Sequence, residues 1–268
     1  IHTWPVGGKS RDVTYVLLAQ TFPTGQESRL PVAIACGDRG TGTVARVLDR
    51  ILRGARRRVA LALRDKYFTE GVTAEWPGRQ QSQARRLLLR DPAIDTLVST
   101  VSLRQTAESG MKLESASVGI IMDRVKNGRA DLFYLGVDIV SRAVRDCLVI
   151  GAGNLMVLQN LPSNGSRRLI LVSQRASDPS LQAHLNDDGL AVTSQWHDGV
   201  ECAVILSGRE VLGSFALGSL IATDGAAKSR RLESAYLYAI AAAFALGLTP
   251  AQIGNSLQSD VDLVDGED

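Results

Sequence analysis

The feature that most constrains this chain is an apolar run that stops at glycine. Pro31-Val32-Ala33-Ile34-Ala35-Cys36 shows no polar alternation, so as a strand it must be covered on both faces. It delivers the chain into a glycine-rich turn, Gly37-Asp38-Arg39-Gly40-Thr41-Gly42-Thr43. A helical pattern follows at once, with Val44, Val47, Leu48 and Ile51 on one face of the stretch Val44–Leu52. Strand, glycine-rich turn and helix together make a phosphate cradle, because N–H groups at the helix start point outward and glycine lets an anion approach the backbone.

Further apolar runs recur along the chain and predict more buried strands. They are Val59–Leu63, Thr96–Val101, Ser117–Met122, Cys147–Ile150, Leu155–Leu158 and Leu169–Val172. Helical patterns lie between them, at Gln80–Leu89 (closed by Pro92) and at Asp138–Asp146. This alternation implies an α/β fold with a mainly parallel sheet and helices on both faces. From Gly189 to Leu220 the pattern changes to short alternating strands punctuated by Gly199, Gly208 and Gly213, which adds a small antiparallel region. A long apolar helix is expected over Leu232–Leu246, capped by Gly247, and a last helix begins with Thr249 as N-cap and Pro250 at its first position. Residues 1–28 read as a linker or lead-in segment carrying one helix (Val13–Phe22). Residues 29–258 read as one domain, and 259–268 as an acidic tail.

Charge and cysteine usage narrow the partners. A net charge of +2 gives no global field toward nucleic acid or a membrane surface, and neither is expected as a partner. The clusters Arg56-Arg57-Arg58 and Arg230-Arg231 read as solvated surface. Cys36, Cys147 and Cys202 are far apart in apolar runs, which suits small core residues in a reducing, cytoplasmic compartment. His2, His184 and His197 show no metal-ligand spacing, and Asn186-Asp187-Asp188-Gly189 lacks the alternating ligands of a calcium loop. The chain opens on Ile1 rather than methionine and is expected to be a piece of something longer.

The turn itself departs from ATP chemistry. A phosphate loop needs lysine just after its last loop glycine to reach the β- and γ-phosphates, and here Thr41 follows Gly40. Asp38 adds a carboxylate that repels phosphate, and Arg39 would have to fold back to offset it. The candidate cofactor-binding residues are therefore Gly37, Arg39, Gly40, Thr41, Gly42 and Thr43, with no catalytic or metal-binding residue assigned.

From Leu30 through this loop the chain resembles the central Mur-ligase-like domain of the cyanophycin synthetases, which polymerise aspartate and arginine. That family's loop reads Gly-Thr-Asn-Gly-Lys-Thr-Thr-Thr, placing its lysine on Thr41 and the next threonine on Gly42. Gln81-Ser82-Gln83-Ala84 and Leu89-Arg90-Asp91-Pro92 are similar to a family stretch Pro-Gln-Ser-Ala…Leu-Arg-Asp-Pro, and Ile94-Asp95-Thr96-Leu97-Val98 matches the strand after it. Ser99 falls where the family has a magnesium-holding glutamate. Ser115–Met122 again matches, but Leu132–Asp138 offers no histidine where the family has an Asp-His pair. Met156-Val157-Leu158-Gln159-Asn160 sits where the family has Val-Leu-Asn-Ala-Asp-Asp-Pro. Gly7-Gly8-Lys9-Ser10 with Phe22-Pro23 resembles the segment that joins an ATP-grasp domain to this one.

The resemblance implies the Mur-ligase central-domain fold with four chemical groups lost together. The function it implies is a non-catalytic, structural or scaffolding domain of a cyanophycin-synthetase-like protein, inactive on its own. It would pair with itself, with an adjacent ATP-grasp domain or with a cyanophycin-synthetase subunit. No cofactor is then expected, and ATP with Mg2+ enters only if the degenerate site still binds. Two alternatives stand beside it: an active ATP-dependent acid–amino acid (amide) ligase with an unusual phosphate loop, and a binding module for an anionic or peptide-polymer ligand.

Overall fold

The computed structural model describes residues 30–37, 39–64, 66–69, 72–75, 88–89, 91, 93–111, 113–122, 130–161, 167–218 and 226–264. Residues 1–30 and 31–268 form separate units, and every described strand and helix belongs to the second. The expected helices at Val13–Phe22 and over most of Gln80–Leu89 fall outside the described residues, as does Asp38.

The first half runs β1 (Val32–Cys36), α1 (Thr41–Gly54), β2 (Val59–Ala62), β3 (Lys66–Thr69), β4 (Val72–Glu75), β5 (Thr96–Val101), α2 (Leu103–Ser109), β6 (Ala116–Ile121) and α3 (Ala130–Ala143). The second runs β7 (Val144–Gly151), α4 (Leu155–Gln159), β8 (Arg168–Ser173), α5 (Pro179–Asn186), β9 (Leu190–His197), β10 (Val200–Ser207), β11 (Glu210–Ala216), α6 (Ala226–Ala245) and α7 (Pro250–Val264). All these strands join one sheet in the order β11-β10-β9-β8-β7-β6-β1-β5-β2-β3-β4. The block from β9 to β2 is parallel, and antiparallel strands finish both ends, β10-β11 on one side and β3-β4 on the other.

The mainly parallel α/β expectation therefore holds, and its chemistry is visible in the burial. Every residue of β1, β5 and β6 is buried, because helices cover both faces and no polar alternation is needed. On one face Ala33, Ala35, Val98, Val118, Ile120, Cys147 and Val149 pack under α1 and α6, with α7 against α1 and β11. Their neighbours in sequence, such as Ile34, Leu97, Ile121 and Leu148, point to the opposite face by the period-two alternation of a strand. There α2 and α3 pack together so closely that a Cβ on Gly136 would lie 2.3 Å from the Leu103 carbonyl oxygen. All three cysteines are free and buried, as core residues should be.

Three expectations are corrected. Leu155–Leu158, read as a strand, is the short helix α4, with only Val157 buried while Leu155 and Met156 are 52% exposed. The helix expected at Asp138–Asp146 is α3, which starts earlier and ends at Ala143. Val144 already belongs to β7. The last helix continues through Val264, past the point where the tail was expected to begin. Two helices went unread, although each carries a capping signal. Ser102 accepts from the Gln105 N–H at 3.3 Å ahead of α2, and Asp178 accepts from Ser180 and Leu181 ahead of α5, where Pro179 takes the first position.

The sheet order also places the site. From β1 the chain crosses to β2 and returns through β5 on one side, and β6 then continues on the other. The carboxyl end of β1 is thus the point where the winding reverses, which is where open α/β sheets form their binding crevice. No helix among the described residues is long and apolar enough to cross a membrane.

Candidate functional site

The loop grows directly out of β1. Cys36 is its last strand residue, and its carbonyl accepts from the Met122 N–H at 2.9 Å, which pins the end of β6 to the end of β1. Gly40 is the N-cap of α1 in the left-handed region (φ 80°), a conformation that costs a residue with a side chain about 1–2 kcal/mol. Its carbonyl receives the first helical bond from Val44 N at 3.0 Å. No side chain caps this end, and no acidic residue lies in the first turn. Among the described residues the N–H groups of Thr41, Gly42 and Thr43 therefore meet no capping side chain, and space is open around Gly42. Gly37, Arg39 and Gly40 lie between β1 and α1, and Thr41, Gly42 and Thr43 open the helix, with Arg39, Gly40 and Thr43 exposed and Thr41 and Gly42 half-buried.

Met122 is the contact that sequence reasoning missed. A Cβ on Gly37 would lie 2.9 Å from Met122 Cβ, and one on Gly40 would lie 3.0 Å from Met122 Cε. The thioether side chain thus spans the loop from its first glycine to its last. Only the register between β1 and β6 makes this visible, since eighty-odd residues separate the partners.

Among the described residues, the carboxyl ends of β5 and β6 carry no charged side chain. On β5, Ser99 pairs with Ile34 and Thr100 with Ala35. Ala35 and Val98 face α1, so Thr100 shares that face while Ser99 turns toward α2 and α3. Ser99 is fully buried, with its hydroxyl 3.4 Å from the Thr100 carbonyl. Thr100, 8% exposed, therefore lies on the α1 face of β5, and Ser99 on the other. At β7 the strand ends at Gly151 and turns through Ala152-Gly153-Asn154 into α4. That turn, rather than Met156–Asn160, occupies the strand-to-helix junction. Asn154 is buried there, and its amide nitrogen makes no hydrogen bond.

Electrostatics add little reactivity. Burial pushes the Cys36 thiol up to about 12, and its sulfur sits 3.3 Å from the Ile120 carbonyl, so it is no nucleophile at neutral pH. On α1, burial raises the Asp49 carboxyl above its ordinary value, opposed by Arg53, whose Nε lies 2.8 Å away, and by Arg50 and Arg46. Among the described residues no three His, Cys, Asp or Glu side chains come together to hold a metal. Apart from the exposed Arg39, the described residues of the loop and of the strand ends beside it offer hydroxyls and a thioether rather than charge.

Comparison with known proteins agrees with this picture at the level of fold. No protein-family model matches the chain. Over 203 residues it is 23% identical to the cyanophycin synthetase of Synechocystis sp., and over 200 residues 24% identical to that of Geminocystis herdmanii. Each match covers 71% of this chain and 23% of the relative, so the chain spans less than a quarter of the length of these proteins. Among solved structures it resembles UDP-N-acetylmuramoyl-L-alanyl-D-glutamate–2,6-diaminopimelate ligase at TM-score 0.56 and 11% identity, over 89% of this chain and 47% of the other. A mutant of L. casei FPGS follows at TM-score 0.54 and 11% identity (95% and 68% covered), and an FPGS-AMPPCP-folate complex at 0.51 and 14% (96% and 69%).

Proposed function

We propose that this chain, a Mur-ligase-like domain related to the cyanophycin synthetases, is a non-catalytic member that serves a structural or scaffolding role in a larger amino-acid-polymerising protein. The observation that carries the reading is Thr41. It stands at the first position of α1, directly after the left-handed Gly40, where the loop should present a lysine to the phosphates. A neutral hydroxyl there cannot offset the charge that builds on a transferring phosphoryl group. Met122, which the loop glycines pack against, is uncharged, as is Thr100 opposite Ala35 on β5. Several losses on one rim are better explained by abandoned chemistry than by a variant of it. Assembly with copies of itself or with an ATP-grasp neighbour would keep the fold under selection, and the intact core supports that role.

The test is turnover by the purified chain. MgATP is supplied with aspartate, arginine and an aspartate–arginine peptide, and ADP release is followed. The reading expects no amino-acid-dependent release above the protein-free rate. Amino-acid-dependent turnover approaching about 1 s⁻¹, within the ordinary range for enzymes, would instead establish an active amide ligase with an unusual loop. Tight binding of an aspartate–arginine polymer without ATP would favour a binding module.

A further inference from the structure

The hairpin that joins β9 to β10 ends in a rigid, exposed tip. Its two central residues are Asp198 (φ 50°) and Gly199 (φ 80°), and positive φ at both lets a two-residue turn match the twist of its strands. His197 and Val200 pair beside the turn, and Trp196 stands opposite Glu201 on the next rung. Residues 196–200 are all exposed. Trp196, at 71%, is the most exposed large hydrophobic side chain among the described residues. An indole left in water adds little to the fold, whereas an exposed tryptophan on a rigid support is a common anchor for partners.

What stands beside the ring says which partner it suits. Opposite residues of an antiparallel pair project from one face with Cβ atoms about 4.5–5.5 Å apart, so the Glu201 carboxylate and the Trp196 ring are neighbours. Ser194 lies two residues before Trp196, on the same face, and its hydroxyl donates to Glu201 Oε1 at 2.8 Å. Ser194 is only 7% exposed, so the carboxylate is held by a buried anchor. The Leu217 N–H donates to the Glu201 carbonyl at 2.8 Å and fixes its backbone. Among the described residues Glu201 forms no ion pair, and Trp196 makes no ring or cation contact. From Ala176 to Gly208 the chain carries Asp178, Asp187, Asp188, Asp198 and Glu201 but no lysine or arginine, in a protein whose net charge is +2. That local charge repels nucleic acid and anionic lipid, which exposed tryptophans elsewhere contact. It attracts a cation. A guanidinium fits best, because its plane stacks on an indole while its N–H fork pairs with a carboxylate.

We propose that the tip of the β9–β10 hairpin is a docking point for a basic polypeptide segment, with one arginine of the partner stacked on Trp196 and paired with Glu201. The docking point uses no residue of the loop and does not depend on whether nucleotide binds there.

The experiment is heteronuclear NMR of the full chain titrated with the capped peptide acetyl-Gly-Arg-Gly-amide, a method suited to millimolar affinity. The Trp196 indole signal and the backbone amides of residues 196–202 should move saturably. Citrulline in place of the peptide's arginine keeps the shape without the charge and should weaken binding at least about fivefold, and lysine about threefold. Glu201→Gln and Trp196→Ala should each weaken it about fivefold, followed on the remaining amides. Glu210→Gln removes an exposed carboxylate at the far end of β10 and should leave binding within about twofold. Circular dichroism confirms that each variant is folded. The proposal is overturned if the hairpin signals do not saturate, if the citrulline or lysine peptide binds as well as the arginine peptide, or if Glu201→Gln or Trp196→Ala binds like wild type. It is overturned equally if Glu210→Gln weakens binding as much. Self-association of the free protein that Trp196→Ala abolishes would also overturn it, because the occupant would then be a second copy.

Discussion

Gly136→Ala tests the close packing of α2 against α3 on one face of the sheet. Gly136 is in the middle of α3, and the added Cβ would lie 2.3 Å from the Leu103 carbonyl oxygen, 2.8 Å from its carbon and 3.0 Å from its Cα. These are backbone atoms at the first residue of α2, with the Leu103 side chain only 2% exposed, so no rotamer change relieves the clash. Reaching ordinary contact requires the helices to part by about 1 Å, which strips close contacts from Phe133 and Val137 as well. Overpacking of this kind costs about 1–3 kcal/mol and sometimes more. Alanine recovers about 1 kcal/mol of helix propensity over glycine. Because the atoms met are backbone, the cost falls in the upper part of that range, about 2–3 kcal/mol, and the balance is a loss of about 1–2 kcal/mol, or roughly 2–8 °C in Tm for a domain of this size. Urea unfolding followed by circular dichroism measures it, with Gly153→Ala as the comparison, since nothing lies within 4 Å of a Cβ there. A Gly136→Ala protein as stable as wild type would refute the close α2–α3 crossing.

Two further outcomes follow from burial. With Cys36 and Cys147 both pushed up to about 12 by burial, only about one thiol in ten thousand is ionised at pH 8, so a thiol reagent should label them on the timescale of unfolding. Rapid labelling of either in native protein would mean that β1 or β7 is not buried as described. For Asp49 the folded carboxyl titrates above its unfolded value, so its contribution favours the fold at low pH and is lost as pH rises through the raised value. Asp49→Asn, neutral throughout, should therefore gain stability relative to wild type between about pH 3 and pH 7 in urea titrations. The opposite slope would mean that Arg53, Arg50 and Arg46 outweigh the burial.

The parallel core was legible because burial on both faces leaves a plain signature. Pro31–Cys36, Thr96–Val101 and Ser117–Met122 carry no polar alternation, and each is a central strand. Leu155–Leu158 has the same composition but follows Asn154 at a strand-to-helix turn, and a four-residue apolar run has too little length to reveal its period. β3 is short and half-buried along its length, so its residues carry no strong pattern. The site was legible only along the chain. The loop could be read residue by residue, whereas the contact of Met122 with its glycines depends on which strands become neighbours.

The central claim, a preserved cradle without its phosphate-binding charge, is tested most directly by calorimetric titration of MgATP into the chain and into its Thr41→Lys variant. The account predicts no saturable heat for wild type up to about 1 mM. It predicts a gain of about tenfold or more on introducing the lysine, the worth of one charged hydrogen bond to phosphate. Micromolar binding by wild type that Thr41→Lys does not improve would contradict it, because the cradle would then be holding nucleotide without the group whose loss defines it.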